Sequence, residues 1–201
     1  MAKIITIAHQ KGGVGKSTLA INLALCFQDQ LSVALIDTDL QGSLYHSRED
    51  FPDLTIISAD KVADIQKLAY DLIIVDTPPY LSNKLPELFL HSDFILVPTK
   101  PGFFDVMAIR STLAMIKEAQ QKAPQLKAGI VLNMVKPRSG ITRDVAELLQ
   151  SMDTPLLKTR VHDRVSIARS PMTAGILNGV DSRAKEEIMS LTEEVVERIA
   201  S

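Results

Sequence analysis

Near the N-terminus the chain reads HQKGGVGKST, His9 to Thr18. Gly12, Gly13 and Gly15 let a backbone bend tightly and bring its N–H groups up to one anion. Lys16 and Ser17 follow at the spacing of a phosphate-binding loop, in which the lysine reaches the β- and γ-phosphates of a nucleotide and the serine hydroxyl ligates Mg²⁺. A helix beginning near Lys16 adds its positive N-terminal end, and Thr18 is placed for the α-phosphate. The usual loop has a glycine five residues before Gly15. Here that position is Gln10, followed by a second lysine, Lys11. Lys16 already serves the phosphates of its own site, so Lys11 is redundant in a loop that works alone.

A magnesium-nucleotide site also needs carboxylates at the ends of neighbouring strands. LIIVD ends in Asp76, which is placed to hold Mg²⁺ through water, and LIDTD supplies Asp37 and Asp39. A hydrolase further needs a carboxylate that orients the attacking water, and one of these acids can supply it. Acids at strand ends are often ordinary turn residues. Two such ends downstream of a phosphate loop are harder to dismiss.

These residues need strands and helices to position them. KIITIA (3–8), SVALID (32–37), LTIIS (54–58), DLIIVD (71–76), DFILVP (93–98) and KAGIVLN (127–133) are short apolar runs that read as strands, and a seventh is expected near 155–160. Helical patterns lie between them, at 17–28, 60–69, 105–122, 141–152 and 182–200. Strands apolar on both faces and separated by helices predict a parallel sheet covered on both sides. Right-handed crossovers then give a three-layer α/β/α fold of about seven mostly parallel strands, which together with the loop at 12–17 resembles the P-loop NTPases. Ligands in such sheets bind at the carboxyl ends of the strands, where all the residues above fall. No repeat, low-complexity tract or linker interrupts the pattern, so residues 1–201 read as one nucleotide-binding domain.

Composition narrows the class. The chain has 201 residues with 46% hydrophobic and 23% charged, ordinary for a globular protein. A formal net charge of −2 forces neither a nucleic-acid nor a membrane reading. The charge is uneven, however: residues 117–169 hold 10 basic and 5 acidic side chains. The one cysteine, Cys26, allows no intrachain disulfide and fits a reducing cytoplasm. His9, His46, His91 and His162 lack the clustered spacing of a zinc site. No apolar run approaches a membrane span, and no signal peptide is evident.

Taken together, KGGVGKST, LIDTDLQGS and LIIVDTPP resemble the ParA/MinD family of ATPases with a deviant phosphate loop. The resemblance implies ATP and Mg²⁺ as ligands, with Lys11, Gly12, Gly13, Val14, Gly15, Lys16, Ser17 and Thr18 forming the loop. It makes Lys11 the signature lysine, which in this family reaches across a dimer interface to the partner's ATP. Lys16 matches the phosphate lysine, Ser17 the Mg²⁺ ligand, and Asp39 the residue that positions the hydrolytic water. Asp37 matches an acid near the Mg²⁺, Asp76 the second Mg²⁺-site carboxylate, and Asn133 an asparagine that recognises the adenine edge. The chain departs from the usual DxDPQGN at Leu40 and Ser43 but keeps Asp39, Gln41 and Gly42, so hydrolysis is expected to survive. Late in the chain, RVHDRVSIARSPMTAG replaces the family's usual base-bordering segment.

Within the family, the small ParA type fits best, and operator-specific binding is not expected because the chain begins at its first strand. The implied function is ATP hydrolysis coupled to dimerisation and non-specific DNA binding. With a ParB-like partner, that cycle would drive plasmid or chromosome partition or position another cargo, in the cytoplasm and on the nucleoid. The basic candidates for DNA are Lys158, Arg160, Arg164, Arg169 and Arg183, with Lys136, Arg138, Arg143 and Lys185 near them. Two alternatives come with the family: a MinD-like membrane-associated positioning ATPase and a metabolic ligase of the same superfamily. The tail AKEEIMSLTEEVVERIAS carries five glutamates against Lys185 and Arg198, which an anionic membrane repels. Its apolar residues are spaced to pack on the sheet instead. Lys11 argues against the ligases.

Overall fold

The structure, a computed structural model, describes residues 2–39, 43–80 and 82–201. The expectations for Leu40, Gln41 and Gly42 lie outside the described residues. Among the described residues the apolar runs form seven strands: β1 (Lys3–Ile7), β2 (Val33–Asp37), β3 (Thr55–Ser58), β4 (Leu72–Asp76), β5 (Phe94–Thr99), β6 (Lys127–Val135) and β7 (Leu156–His162). All their pairings are parallel, in the order β3-β2-β4-β1-β5-β6-β7. β1 is central, with the strands of one half of the chain on one side and the rest on the other. The carboxyl end of β1 is therefore the switch point of the sheet, where such folds open a crevice.

Among the described residues seven α-helices connect and cover the strands: α1 (Lys16–Phe27), α2 (Ser43–His46), α3 (Leu85–His91), α4 (Phe103–Lys122), α5 (Gly140–Gln150), α6 (Val165–Arg169) and α7 (Ser182–Ala200). Alternation along each strand divides the core in two. Ile5, Ile7, Leu35, Ile74 and Leu96 face α1 and α7 with Leu19, Leu23, Ile188 and Leu191. Ile4, Ile36, Ile73, Val75 and Ile95 face the other way, onto Leu88, Phe89, Val106, Ile109 and Val145 of α3, α4 and α5. These two apolar faces supply most of the driving force for folding.

The structure departs from the sequence reading in identifiable places. The helix expected over 60–69 is a 3₁₀ segment, Ala59–Lys67, broken at Asp64. Ile65 is its one buried residue, too small an apolar face to hold an α-helix against the sheet. The short helices α2, α3 and α6 were not anticipated, because runs of four to seven residues carry little periodic signal. β5 continues through Pro98 to Thr99. Pro98 lies beyond the last β1–β5 pair, Ile7 with Leu96, where β5 has one sheet neighbour and a missing N–H is tolerated. β6 runs two residues past Asn133, with Met134 at a φ of 55° and a register shift against β7.

Candidate functional site

The loop after β1 turns through Gly13 (φ 68°) and Gly15 (φ 91°), a left-handed backbone that glycine adopts without steric cost. Gly15 is the N-cap of α1, and no side chain among the described residues caps the helix. The first N–H groups of α1 are thus open to an anion. Lys16 is buried, with Nζ donating to the Lys11 carbonyl at 3.4 Å. Burial pulls its pKa down, opposed by the charges of Asp76 and Asp39. A phosphate here would satisfy an ammonium that the fold has partly desolvated.

Asp37 and Asp76 are register partners at the ends of β2 and β4, and both are buried. Asp76 Oδ2 accepts from Ser17 Oγ at 2.5 Å, while Oδ1 is buried without a partner among the described residues. Burial raises the Asp76 pKa to about 7 against the opposing pull of Ser17 and Lys16, and the neighbouring charges of Asp37 and Asp39 add to the rise. Asp37 is committed differently. Its Oδ1 accepts from the Asp39 amide (3.0 Å) and its Oδ2 from the amides of Leu44 and Tyr45 (3.0 and 3.1 Å). It therefore caps α2 and holds the segment that carries Asp39, a positioning job that spacing did not reveal. Thr38 closes the same end by donating Oγ1 to the Asp76 carbonyl at 2.6 Å.

Asn133 lies beneath the loop. Its Nδ2 donates to the Val14 carbonyl at 2.8 Å and its Oδ1 accepts from the Met134 amide at 2.9 Å. A Cβ at Gly15 would collide with this amide, so the glycine is needed for close approach as well as for its φ. The structure thus gives Asn133 a loop-holding role that the sequence reading missed. Behind α1, the buried Asn22 donates to Thr18 O and Ser170 Oγ (both 2.7 Å) and accepts from the Ile176 amide (2.7 Å). This ties the loop helix to the segment 170–176, where the chain departs from the family's usual base-bordering sequence.

Lys11 points away from its own cradle. Its ammonium pairs with Asp105 Oδ1 in the first turn of α4 at 2.7 Å, with Lys11 substantially exposed. Gln10 Nε2 donates to the Ala108 carbonyl, and His9 Nδ1 accepts from the Lys11 amide at 2.7 Å. The residues His9, Gln10 and Lys11 are thereby seated against α4, 94 residues on for the Lys11–Asp105 pair. Nothing in their spacing pointed to Asp105.

The C-terminal basic residues divide. Lys158 and Arg160 are exposed on the edge strand β7, Arg169 ends α6 and Arg183 lies in the first turn of α7, also exposed. Arg164 is instead built into the fold, with Nε and Nη2 donating to Glu187 Oε1 (3.1 and 2.9 Å) and Nη1 3.7 Å from Asp181. The glutamates of α7 have work of their own. Glu194 takes the Lys158 and Thr159 amides (2.8 and 2.9 Å), and Glu187 takes the His162 amide (2.8 Å). They close the open edge of the sheet. Ile188, Leu191 and Val195 of α7 are buried against it. Among the described residues no helix is long and apolar enough to cross a membrane.

A glycine loop at the switch point, a buried lysine, an open helix N-terminus and a hydroxyl-carboxylate pair define a P-loop nucleotide-binding protein. Residues 5–193 match the family described as the CobQ/CobB/MinD/ParA nucleotide binding domain, and the chain belongs to that family. It is 31% identical over 207 residues to the maintenance of carboxysome distribution protein A of Halothiobacillus neapolitanus, covering 96% of this chain and 95% of that one. It is 26% identical to the chromosome-partitioning ATPase Soj of Thermus thermophilus, covering 97% and 96%. The septum site-determining protein MinD of Pyrococcus horikoshii, solved with Mg-ADP, shares the fold with a TM-score of 0.71 at 21% identity, covering 100% of this chain and 98% of that one. The chain is thus of the ParA/MinD positioning-ATPase type.

The residues present fit ATP and Mg²⁺. Among the described residues, no three His, Cys, Asp or Glu side chains converge into a ready-made metal cage. Mg²⁺ characteristically takes one or two carboxylates and completes its octahedron with water and phosphate oxygens. Ser17 Oγ and the orphaned Asp76 Oδ1 suit that donor set, and a cation beside Asp76 would offset the burial that raises its pKa.

Proposed function

We propose that this chain hydrolyses ATP as an ATP-gated homodimer, binds DNA without sequence preference in that state, and is released by a ParB-like partner to position a cargo. The observation that carries the reading is the division of labour between two lysines of one loop. Lys16 is buried in its own cradle, whereas the Lys11 ammonium stands on the exposed rim against α4. A rim lysine is positioned to serve a nucleotide brought by a second copy.

In this reading the loop amides of Gly12 to Ser17 and the Lys16 ammonium bind the phosphates, and Thr18 contacts the α-phosphate. Bound Mg²⁺ supplies charge neutralisation at the phosphate oxygens, held by Ser17 and Asp76, with Asp37 close by. Asp39 orients the attacking water, its backbone fixed by the Asp37 carboxylate. Lys11 exchanges Asp105 for the partner's phosphates, and Asn133 reads adenine through the remaining lone pair on Oδ1. Lys158, Arg160, Arg169 and Arg183 form the DNA face, doubled by dimerisation, which explains how a near-neutral chain can bind DNA only with ATP. Two relatives are named for different cargoes, a carboxysome and a chromosome, which supports a reading in which the partner protein selects the cargo.

The deciding experiment is light scattering with and without ATP on the wild type, Lys11→Ala and Asp39→Ala. A dimer that requires ATP, persists in Asp39→Ala and is lost in Lys11→Ala supports the reading. An ATPase-active Lys11→Ala monomer refutes it.

A further inference from the structure

His9 is 2% exposed and has no role in the site as described so far. Its Nδ1 accepts the Lys11 amide at 2.7 Å, so the lone pair is on Nδ1 and the proton on Nε2. Nε2–H is itself buried and, among the described residues, faces the Asp105 main chain as an acceptor without closing a bond of normal geometry. The ring thus stands between the Lys11 amide on one side and the Asp105 main chain on the other, and its hydrogen bond of normal geometry goes to Lys11.

That bond fixes the main chain where the loop leaves β1. An acceptor two residues before an N–H draws the chain into a tight turn, as an asparagine does in an Asx turn. The turn sets the direction in which Lys11 leaves the backbone. Gln10, bonded to the Ala108 carbonyl, and Asp105, paired with the Lys11 ammonium, fasten the same short segment from the α4 side. The Lys16 cradle is fastened independently by Asn133 through Val14.

We infer that His9 is a positioning residue for Lys11: as a neutral acceptor it presets the rim lysine for the second copy's nucleotide, without contributing to nucleotide binding in its own site. The inference rests on the proposed cross-dimer role of Lys11. It predicts a separation of effects. Loss of the Nδ1 acceptor leaves the cradle intact and disorders the approach of Lys11. A side chain that restores an acceptor at the same reach rescues it.

The test uses the full chain as wild type, Lys11→Ala, His9→Leu and His9→Asn. Affinity for methylanthraniloyl-ATP with Mg²⁺ and ATP-dependent dimerisation are measured for each, after thermal melts confirm folding. In His9→Leu, nucleotide affinity should stay within about 3-fold of wild type while dimer formation falls about as far as in Lys11→Ala; His9→Asn should recover most of it. If His9→Leu dimerises normally while Lys11→Ala does not, His9 is idle and the inference is overturned. If Lys11→Ala dimerises normally, the dimer reading itself has failed. Nitrogen-15 NMR of the wild type keeps the inference falsifiable should His9→Leu not fold. An Nε2–H tautomer with an unprotonated, hydrogen-bonded Nδ1 supports it, and an Nδ1–H tautomer overturns it.

Discussion

The Ser17 hydroxyl donates to Asp76 across 2.5 Å, joining residues 59 positions apart, while the second Asp76 oxygen is buried without a partner among the described residues. The first residue of the pair is set by the loop and the second by the end of β4, so the pair exists only once β1 and β4 lie side by side, with Ile7 opposite Asp76.

Asp76→Asn tests the pair. The amide removes a buried carboxylate but keeps an acceptor for Ser17. Without Mg²⁺ the variant should be more stable at pH 8 than the wild type, by roughly 1 kcal/mol or more. The Mg²⁺-dependent gain in nucleotide affinity should fall about 10- to 100-fold. Melts and nucleotide titrations with and without Mg²⁺ measure both; an unaltered Mg²⁺ dependence places the ion elsewhere.

Two buried groups of the site push stability in opposite directions with pH. Burial, aided by the charge of Lys16, lowers the His9 pKa from 6.5 to about 4. The unfolded chain then binds more protons than the native one between those values, and stability should drop as pH falls from about 6.5 to 4. Asp76, raised from 3.8 to about 7, does the reverse: native protein binds the extra proton, and the metal-free protein should lose stability as pH rises through that window. The two overlap in the wild type. Melts of His9→Asn and Asp76→Asn between pH 4 and 8 should separate them, each variant losing one of the two opposing slopes.

Lys16→Ala removes the buried ammonium of the cradle and should weaken ATP binding by about 100-fold or more. Asp39→Ala should bind ATP and fail to turn over, with hydrolysis down by about 10²–10⁴-fold. Equilibrium binding and phosphate release distinguish them. Undiminished ATP affinity in Lys16→Ala would sink the loop assignment, and full turnover in Asp39→Ala would move the water-orienting role to another group.

Glu194→Ala should cost about 1–3 kcal/mol, because it leaves two β7 amides unpaired at the sheet edge. It should also increase association through that edge. Denaturant melts and scattering report the two effects; a neutral outcome would mean that water satisfies those amides equally well.

The basic residues should split by their bonding. Arg160→Glu, Arg169→Glu and Arg183→Glu should each weaken ATP-dependent DNA retention and flatten its salt dependence without altering the melt. Arg164→Glu should lower the melting temperature, since it places a like charge against Glu187 and Asp181. If the first three variants all retain DNA at moderate salt, the DNA face lies elsewhere.

Seven strands, their order of appearance, the long helices and the phosphate loop were legible because each rests on a local pattern: an apolar run, a helical period, or glycines and a lysine in fixed spacing. The short helices and the 3₁₀ stretch were not, since four to nine residues carry too little periodicity to reveal how they pack. Charge counting was misleading for α7. Its glutamates read only as a charge that an anionic membrane repels, yet Glu187 and Glu194 terminate the amides of the edge strand.

The sequence by itself determined the chemistry within a few residues' reach: a glycine turn, a lysine and a serine at a helix start, and acids at two strand ends. Only the tertiary structure decided which of these groups meet. It set Ser17 against Asp76 and turned Asp37 inward to its own amides. It also seated Lys11 between His9 and Asp105. The physical reason is that hydrogen bonds and ion pairs act over about 3 Å. Parallel strand order brings residues 59 to 119 positions apart within that distance, and no pattern along the chain encodes it.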